Sequence, residues 1–205
     1  MRIFILMSLL ISMSCYGQKK VALTSTNTIV INKENVTYKF QTSQEKLETK
    51  PVNELTYYWC KSNELHTTKG GYDGSLLDGT YSASYLSKQL KEKGSFIKGL
   101  KTGEWKSWYE SGEINEVSNY KKGVLSGEYK KYDETGNLTL EANYKNGELH
   151  GETKSYSNGK LLKTTIYKNG EEVAPEVKDE GETTKSKKPV LFKQKPKQEE
   201  GTPKQ

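Results

Sequence analysis

The chain has 205 residues, and its 32 basic against 26 acidic side chains leave a net charge of +6. Removing its 14 tyrosines from the hydrophobic 32% and adding its 18 glycines leaves roughly a third of the chain apolar. That lies below the ~45–50% of ordinary globular domains and excludes a single deep core. Basic and acidic residues are interspersed, as in Glu128-Tyr129-Lys130-Lys131, which argues against the one-sided basic patch of a nucleic-acid binder.

At the N-terminus Arg2 precedes the apolar run Ile3 to Ile11, and small residues follow. This is the layout of a secretory signal peptide, and the run is shorter than the ~20 residues that span a bilayer. Residues 1–17 are therefore read as a signal peptide. The chain is expected to be exported: periplasmic, outer-membrane associated or secreted. Cleavage after Gly17 would make Gln18 the first mature residue. Cys15 is the alternative lipidation site, although Ser12-Met13-Ser14 lacks the Leu that opens a lipobox. Cys15 and Cys60 are the two cysteines of the sequence, so loss or lipidation of the first excludes an intramolecular disulfide. Cys60 then reads either as a small buried hydrophobe beside Trp59 or as an intermolecular disulfide partner. Residues 18–56 form an N-terminal segment in which the alternating stretch Thr28 to Phe40 predicts one or two strands.

Residues 57–173 read as a tandem array with a step of 24 residues. Gly99, Gly123, Gly147 and Gly170 mark it, the last step being one short because the third unit has lost a residue, with Gly103, Gly127 and Gly151 behind the first three. The columns after them keep their chemistry: Glu104, Glu128, Glu152; Trp105, Tyr129, Thr153; Lys106, Lys130, Lys154; Trp108, Tyr132, Tyr156. A turn glycine comes next at Gly112, Gly136 and Gly159, then an aliphatic at Ile114, Leu138 and Leu161, and a closing aromatic at Tyr120, Tyr144 and Tyr167. A weaker copy carries Gly79, Tyr81, Leu90 and Phe96, with Lys88 where the turn glycine should stand, and a more degenerate unit runs from Tyr57 to Tyr72.

Aromatic and β-branched stretches separated by Gly and Asn turns make each unit a β-hairpin. One hairpin buries too little to fold alone, but stacked neighbours share a thin core. The predicted fold is all-β: an elongated, single-layer antiparallel meander of 24-residue hairpins. Alternation sends Trp105, Ser107 and Tyr109 to one face and Glu104, Lys106 and Trp108 to the other. Ile114, Ser118 and Tyr120, like Leu138, Ala142 and Tyr144, share a parity and predict a better-buried face of rings over small residues.

The pattern Lys-x-Gly-x-x-x-Gly-Glu-aromatic, then Tyr-x-x-Gly, is carried by Gly123 to Tyr129 with Gly136, Leu138 and Tyr144, by Gly99 to Trp105, and by Gly147 to Gly159. It resembles the MORN-repeat variant of bacterial YwqK-type proteins over about residues 72–173. The resemblance implies a hairpin-repeat fold. It further implies an antitoxin role in a toxin–antitoxin system, or a protein-binding or lipid-associated module.

Beyond Glu171 the apolar pattern stops, and residues 174–205 have the Lys, Glu, Thr and Pro composition of a disordered tail. Within it Pro189 to Phe192 reads as a docking motif or an incidental cluster. The two histidines, His66 and His150, lie in different units without a partner at ligand spacing, so no metal is implied. No nucleophile motif, phosphate loop or cofactor signature occurs. Glu104, Glu128 and Glu152 recur ~9.6 Å apart on stacked hairpins, but each lies beside a lysine, which favours charge compensation over catalysis. Recognition by surface remains, with Trp105, Trp108, Tyr109, Tyr132 and Tyr156 as candidate binding residues. The Trp108 column reads either as core or as an exposed ladder. The expected function is a non-enzymatic scaffold with no cofactor and no nucleic-acid partner, binding protein first, with glycan or membrane association as the alternative.

Overall fold

The computed structural model describes residues 26–44 and 50–174. The expected signal peptide of residues 1–17, with Cys15, and the expected tail beyond Ala174, with Pro189 to Phe192, lie outside the described residues. Residues 1–173 and 174–205 divide as two units, and the described strands belong to the first.

The chain is all-β and builds an open antiparallel sheet. A first hairpin, β1 (Thr26–Lys33) and β2 (Val36–Ser43), turns at Glu34-Asn35; a second, β3 (Thr56–Lys61) and β4 (Glu64–Lys69), turns at Ser62-Asn63. Then come β5 (Ser75–Tyr85), β6 (Leu90–Ile97), β7 (Leu100–Trp108), β8 (Ile114–Lys121), β9 (Val124–Tyr132) and β10 (Leu138–Lys145). The short β11 (Glu148–Leu149), β12 (Gly151–Ser157), β13 (Lys160–Lys168) and β14 (Glu171–Val173) complete it. From β5 to β14 the strands lie in sequence order, as a meander requires, with β11 and β12 both paired to β10.

The turns between units pair two residues of positive φ, as a type I′ hairpin turn demands: Lys98-Gly99, Lys122-Gly123, Asn146-Gly147 and Asn169-Gly170. At each, the glycine N–H donates to a carbonyl of an earlier strand: Gly99 to Leu77 at 2.7 Å, and Gly123 to Lys101, Gly147 to Leu125 and Gly170 to Leu149 at 2.9 Å. Positive φ and a fixed hydrogen bond together explain why this glycine column is the clearest mark in the sequence. Lys88, which replaces the turn glycine of its unit, is forced to φ +70°. A side chain there costs left-handed strain that glycine avoids. Lys88→Gly is therefore expected to raise stability by about 0.5–1 kcal/mol, read as an increase in the urea midpoint; an unchanged or lower midpoint would show the turn unstrained.

The N-terminal strands depart from meander order. β2 pairs with β5, not β3, in the register Val36↔Tyr85 to Thr42↔Leu77. β5 forks: Ser75 and Leu76 pair with β3, and the stretch from Gly79 pairs with β6. The β3–β4 hairpin is pinned by a 2.8 Å hydrogen bond from Tyr58 N–H to the Gly99 carbonyl, and the Tyr58 ring lies 4.8 Å from that of Phe96. The main core forms here, from Phe40, Cys60, Leu77, Tyr81, Ala83, Phe96 and Trp105. Cys60 is 6% exposed, and burial pushes its thiol pKa up. Both withhold it from an intermolecular disulfide.

Candidate functional site

The repeats give the sheet two chemically different faces. On the first, large and small side chains alternate from strand to strand through the pairs Tyr81↔Gly94, Trp105↔Ser118, Ser118↔Tyr129 and Tyr129↔Ala142. Ser118 and Ala142 are buried at 3% and 1% exposure, because each small residue lies under its neighbours' rings. The closing aromatics sit beside them, each opposite a glycine: Phe96 on Gly79, Tyr120 on Gly103, Tyr144 on Gly127, Tyr167 on Gly151.

Trp105 belongs to this face. At 2% exposure, with ring centroids 4.9 Å from Phe96 and 5.3 Å from Tyr81, it is a core residue and leaves the set of candidate binding residues. Above it lies a feature outside the sequence-based expectations. Lys101 Nζ stands 3.9 Å from the Trp105 ring centroid and 5.3 Å from that of Tyr120, and it donates to Glu92 at 2.8 Å. Its side chain is 15% exposed, so this cation is held by rings and one carboxylate. The available signal was its column, which holds Leu77, Leu125 and Leu149 in the other units, so that a lysine here breaks an aliphatic row. In the next unit Tyr129 donates to Glu116 at 3.0 Å; burial first, and Glu116 second, push its hydroxyl pKa upward.

The second face carries the Glu and Lys columns. Each glutamate meets the lysine two residues on: Glu104–Lys106 at 2.8 Å, Glu128–Lys130 at 3.8 Å, Glu152–Lys154 at 3.1 Å. Lys130 also lies 3.6 Å from Glu141 across the strands. Glu152 holds the Lys154 pKa above its ordinary value. These are exposed or half-exposed pairs, worth little stability, and they keep the face wet.

Beside these rows runs an apolar ladder. Trp108 pairs with Ile114, Tyr132 with Leu138 and Tyr156 with Leu161. This corrects the parity of the aliphatic column, which was expected on the buried face. A register shift separates Ser107 from Trp108, Leu138 from Leu140, and Ser155 from Tyr156. The extra residue in each hairpin turns the aliphatic side chain to the opposite face. Trp108, Tyr132 and Tyr156 are half-buried and belong to neither core cluster, while Leu161 is 55% exposed. The Trp108 column is thus a surface ladder.

Tyr109 has another task. Its hydroxyl donates to the Tyr132 carbonyl at 2.8 Å, as that of Tyr85, one step earlier, does to the Trp108 carbonyl at 2.9 Å. Each tyrosine staples its own turn to the end of the strand two places on. The 24-residue spacing of Tyr85 and Tyr109 was the available signal. In the next unit Asp133 stands in this column and holds its own turn, accepting from Thr135 N–H at 3.0 Å and Asn137 N–H at 2.9 Å. Tyr109→Phe is expected to cost about 1 kcal/mol while leaving the strands paired; a melting temperature equal to the parent's would show the staple idle.

The family described as MORN repeat variant matches this chain at residues 101–122 and 125–146, the hairpins β7–β8 and β9–β10. No curated protein matches it. The matched stretches contain Trp108, Tyr109 and Tyr132, and with them the first two rungs of the ladder.

Proposed function

We propose that this chain is an exported, non-enzymatic repeat scaffold that binds a protein partner through the ladder face. The carrying observation is the row Trp108–Ile114, Tyr132–Leu138, Tyr156–Leu161. It repeats at three successive hairpins and is flanked by compensated charge. Aromatic rings on a sheet give contact area at little entropic cost, and an array of repeats offers it as a continuous row. The similarity to MORN-variant repeats supports a binding scaffold; masking a toxin in the envelope, as YwqK-type resemblance implies, is one form such binding takes.

A photo-crosslinking residue placed at Tyr132 in the full chain, expressed in its own cell envelope, is expected to capture one protein in stoichiometric amount. The same probe at Lys163, away from the ladder, is expected to capture none, and Trp108→Ala is expected to abolish the product. Recovery of glycan or lipid in place of protein, or capture indifferent to Trp108, would overturn the reading. Intact mass of the mature chain tests its export: a start at Gln18 is expected, and a retained residue 1 would contradict it.

A further inference from the structure

Glu34 and Asn63, at the tips of the two N-terminal hairpins, border a cleft of about 560 Å³, within the size range of small-ligand sites. It lies apart from the ladder, and none of the repeat columns after β5 contributes to it. We propose that this cleft is a binding site for a neutral saccharide of one or two residues.

The lining has the chemistry such a ligand needs. Tyr38 and Tyr58 supply ring surface for the apolar C–H faces of a sugar, and their hydroxyls supply donors and acceptors, while Tyr81, only 7% exposed, borders the cleft from the core. Burial first, and Glu92 second, push the Tyr58 and Tyr81 hydroxyl pKa values up, so both remain neutral O–H groups at physiological pH. Asn63 and Thr67 add short polar side chains. Asn32 is fixed by the 2.7 Å hydrogen bond that its Oδ1 accepts from Thr37.

The lips carry charge of both signs, Lys33 with Glu34 on one and Glu64 on the other, and so favour neither an anion nor a cation. The Glu34 and Glu64 side chains are 82% and 72% exposed, whereas the acid of glycoside cleavage sits in a desolvated pocket. The chemistry fits binding without turnover.

The tyrosine wall of the site is also in place before any ligand arrives. Tyr58 is held against Phe96 at 4.8 Å, Tyr81 against Phe96 at 5.4 Å, and the β3 backbone is tied to Gly99. A preformed cleft loses little ordering entropy on binding.

The test is titration of the full chain with maltose, cellobiose and chitobiose, followed by calorimetry and by amide NMR shifts. At least one is expected to bind at millimolar or better affinity, with shifts centred on Tyr38, Asn63 and Thr67. Removing one ligand hydrogen bond by Tyr38→Phe or by Thr67→Val, neither of which disturbs a core residue, is expected to weaken binding about five- to tenfold. Trp108→Ala, which tests the separate ladder site, is expected to leave sugar affinity unchanged. The proposal is overturned if none of the three sugars binds, or if choline or inorganic phosphate shifts these residues more strongly. It is equally overturned if both cleft variants keep full affinity or if Trp108→Ala removes it.

Discussion

Trp105→Ala is expected to lower the unfolding free energy by about 3–5 kcal/mol, the range found when a large buried aromatic is truncated. Its ring is 2% exposed and touches Tyr81, Phe96 and Tyr120 on three sides. No neighbour is free to fill the space: Phe96 is fixed by Tyr58, and the strand on the Trp105 side is pinned by its ladder to β8. The loss extends to Lys101, whose cation lies 3.9 Å from the ring centroid and would face a water-filled gap. Equilibrium urea unfolding measures the effect. Trp108→Ala provides the contrast, since that ring lies on the ladder and is expected to cost well under half as much. A cost for Trp105→Ala no larger than for Trp108→Ala would refute the assignment of the two tryptophans to opposite faces.

The second large effect comes from adding one carbon. A Cβ on Gly94 would lie 2.2 Å from Trp105 Cδ2 and 2.3 Å from Cε2, inside any tolerable contact. Gly94 does not adopt positive φ, so alanine meets no backbone penalty and the change isolates the steric term. Overpacking of this kind costs about 1–3 kcal/mol, and the indole, boxed in by three rings, places the cost in the upper part of that range. The cost is expected to vanish in a Trp105→Ala background, where the Cβ has room. A double-mutant cycle by urea unfolding reads this coupling; additive single effects would mean that the ring does not rest on Gly94.

The array was legible because a hairpin must meet the same demands in each unit. Glycine turns at Gly99, Gly123 and Gly147, rings over Ser118 and Ala142, and paired Glu and Lys columns all arise from local geometry that repeats with the chain. Three features were hidden for physical reasons. The side chains of Ile114, Leu138 and Leu161 changed face because bulges beside the turns break the period of two, and no composition marks a bulge in advance. Lys101 breaks a column of leucines, but one of the rings beside its cation is Tyr58, which arrives from a hairpin more than 40 residues earlier in the sequence. The cleft is built by two hairpins whose docking departs from sequence order, so neither tip alone suggests it. Of the five candidate residues, Trp108, Tyr132 and Tyr156 share the half-buried ladder row. Trp105 and Tyr109 were grouped with them because an aromatic side chain looks the same in sequence whether it packs, staples or binds.

The pairing of β2 with β5 sets an order of events in time. Strands β6 to β13 meet their partners across turns of a few residues, so their contacts close rapidly. Joining β2 to β5 instead requires closure over about 30 intervening residues, at a higher entropic cost. The repeats are thus expected to collapse first and the N-terminal hairpins to dock onto them later, giving two kinetic phases on refolding. During synthesis from the N-terminus, β1 and β2 exist long before β5 does. An early hairpin with open edges must wait, unpaired, for the strand that receives it, and that interval is when the chain is most exposed to mispairing.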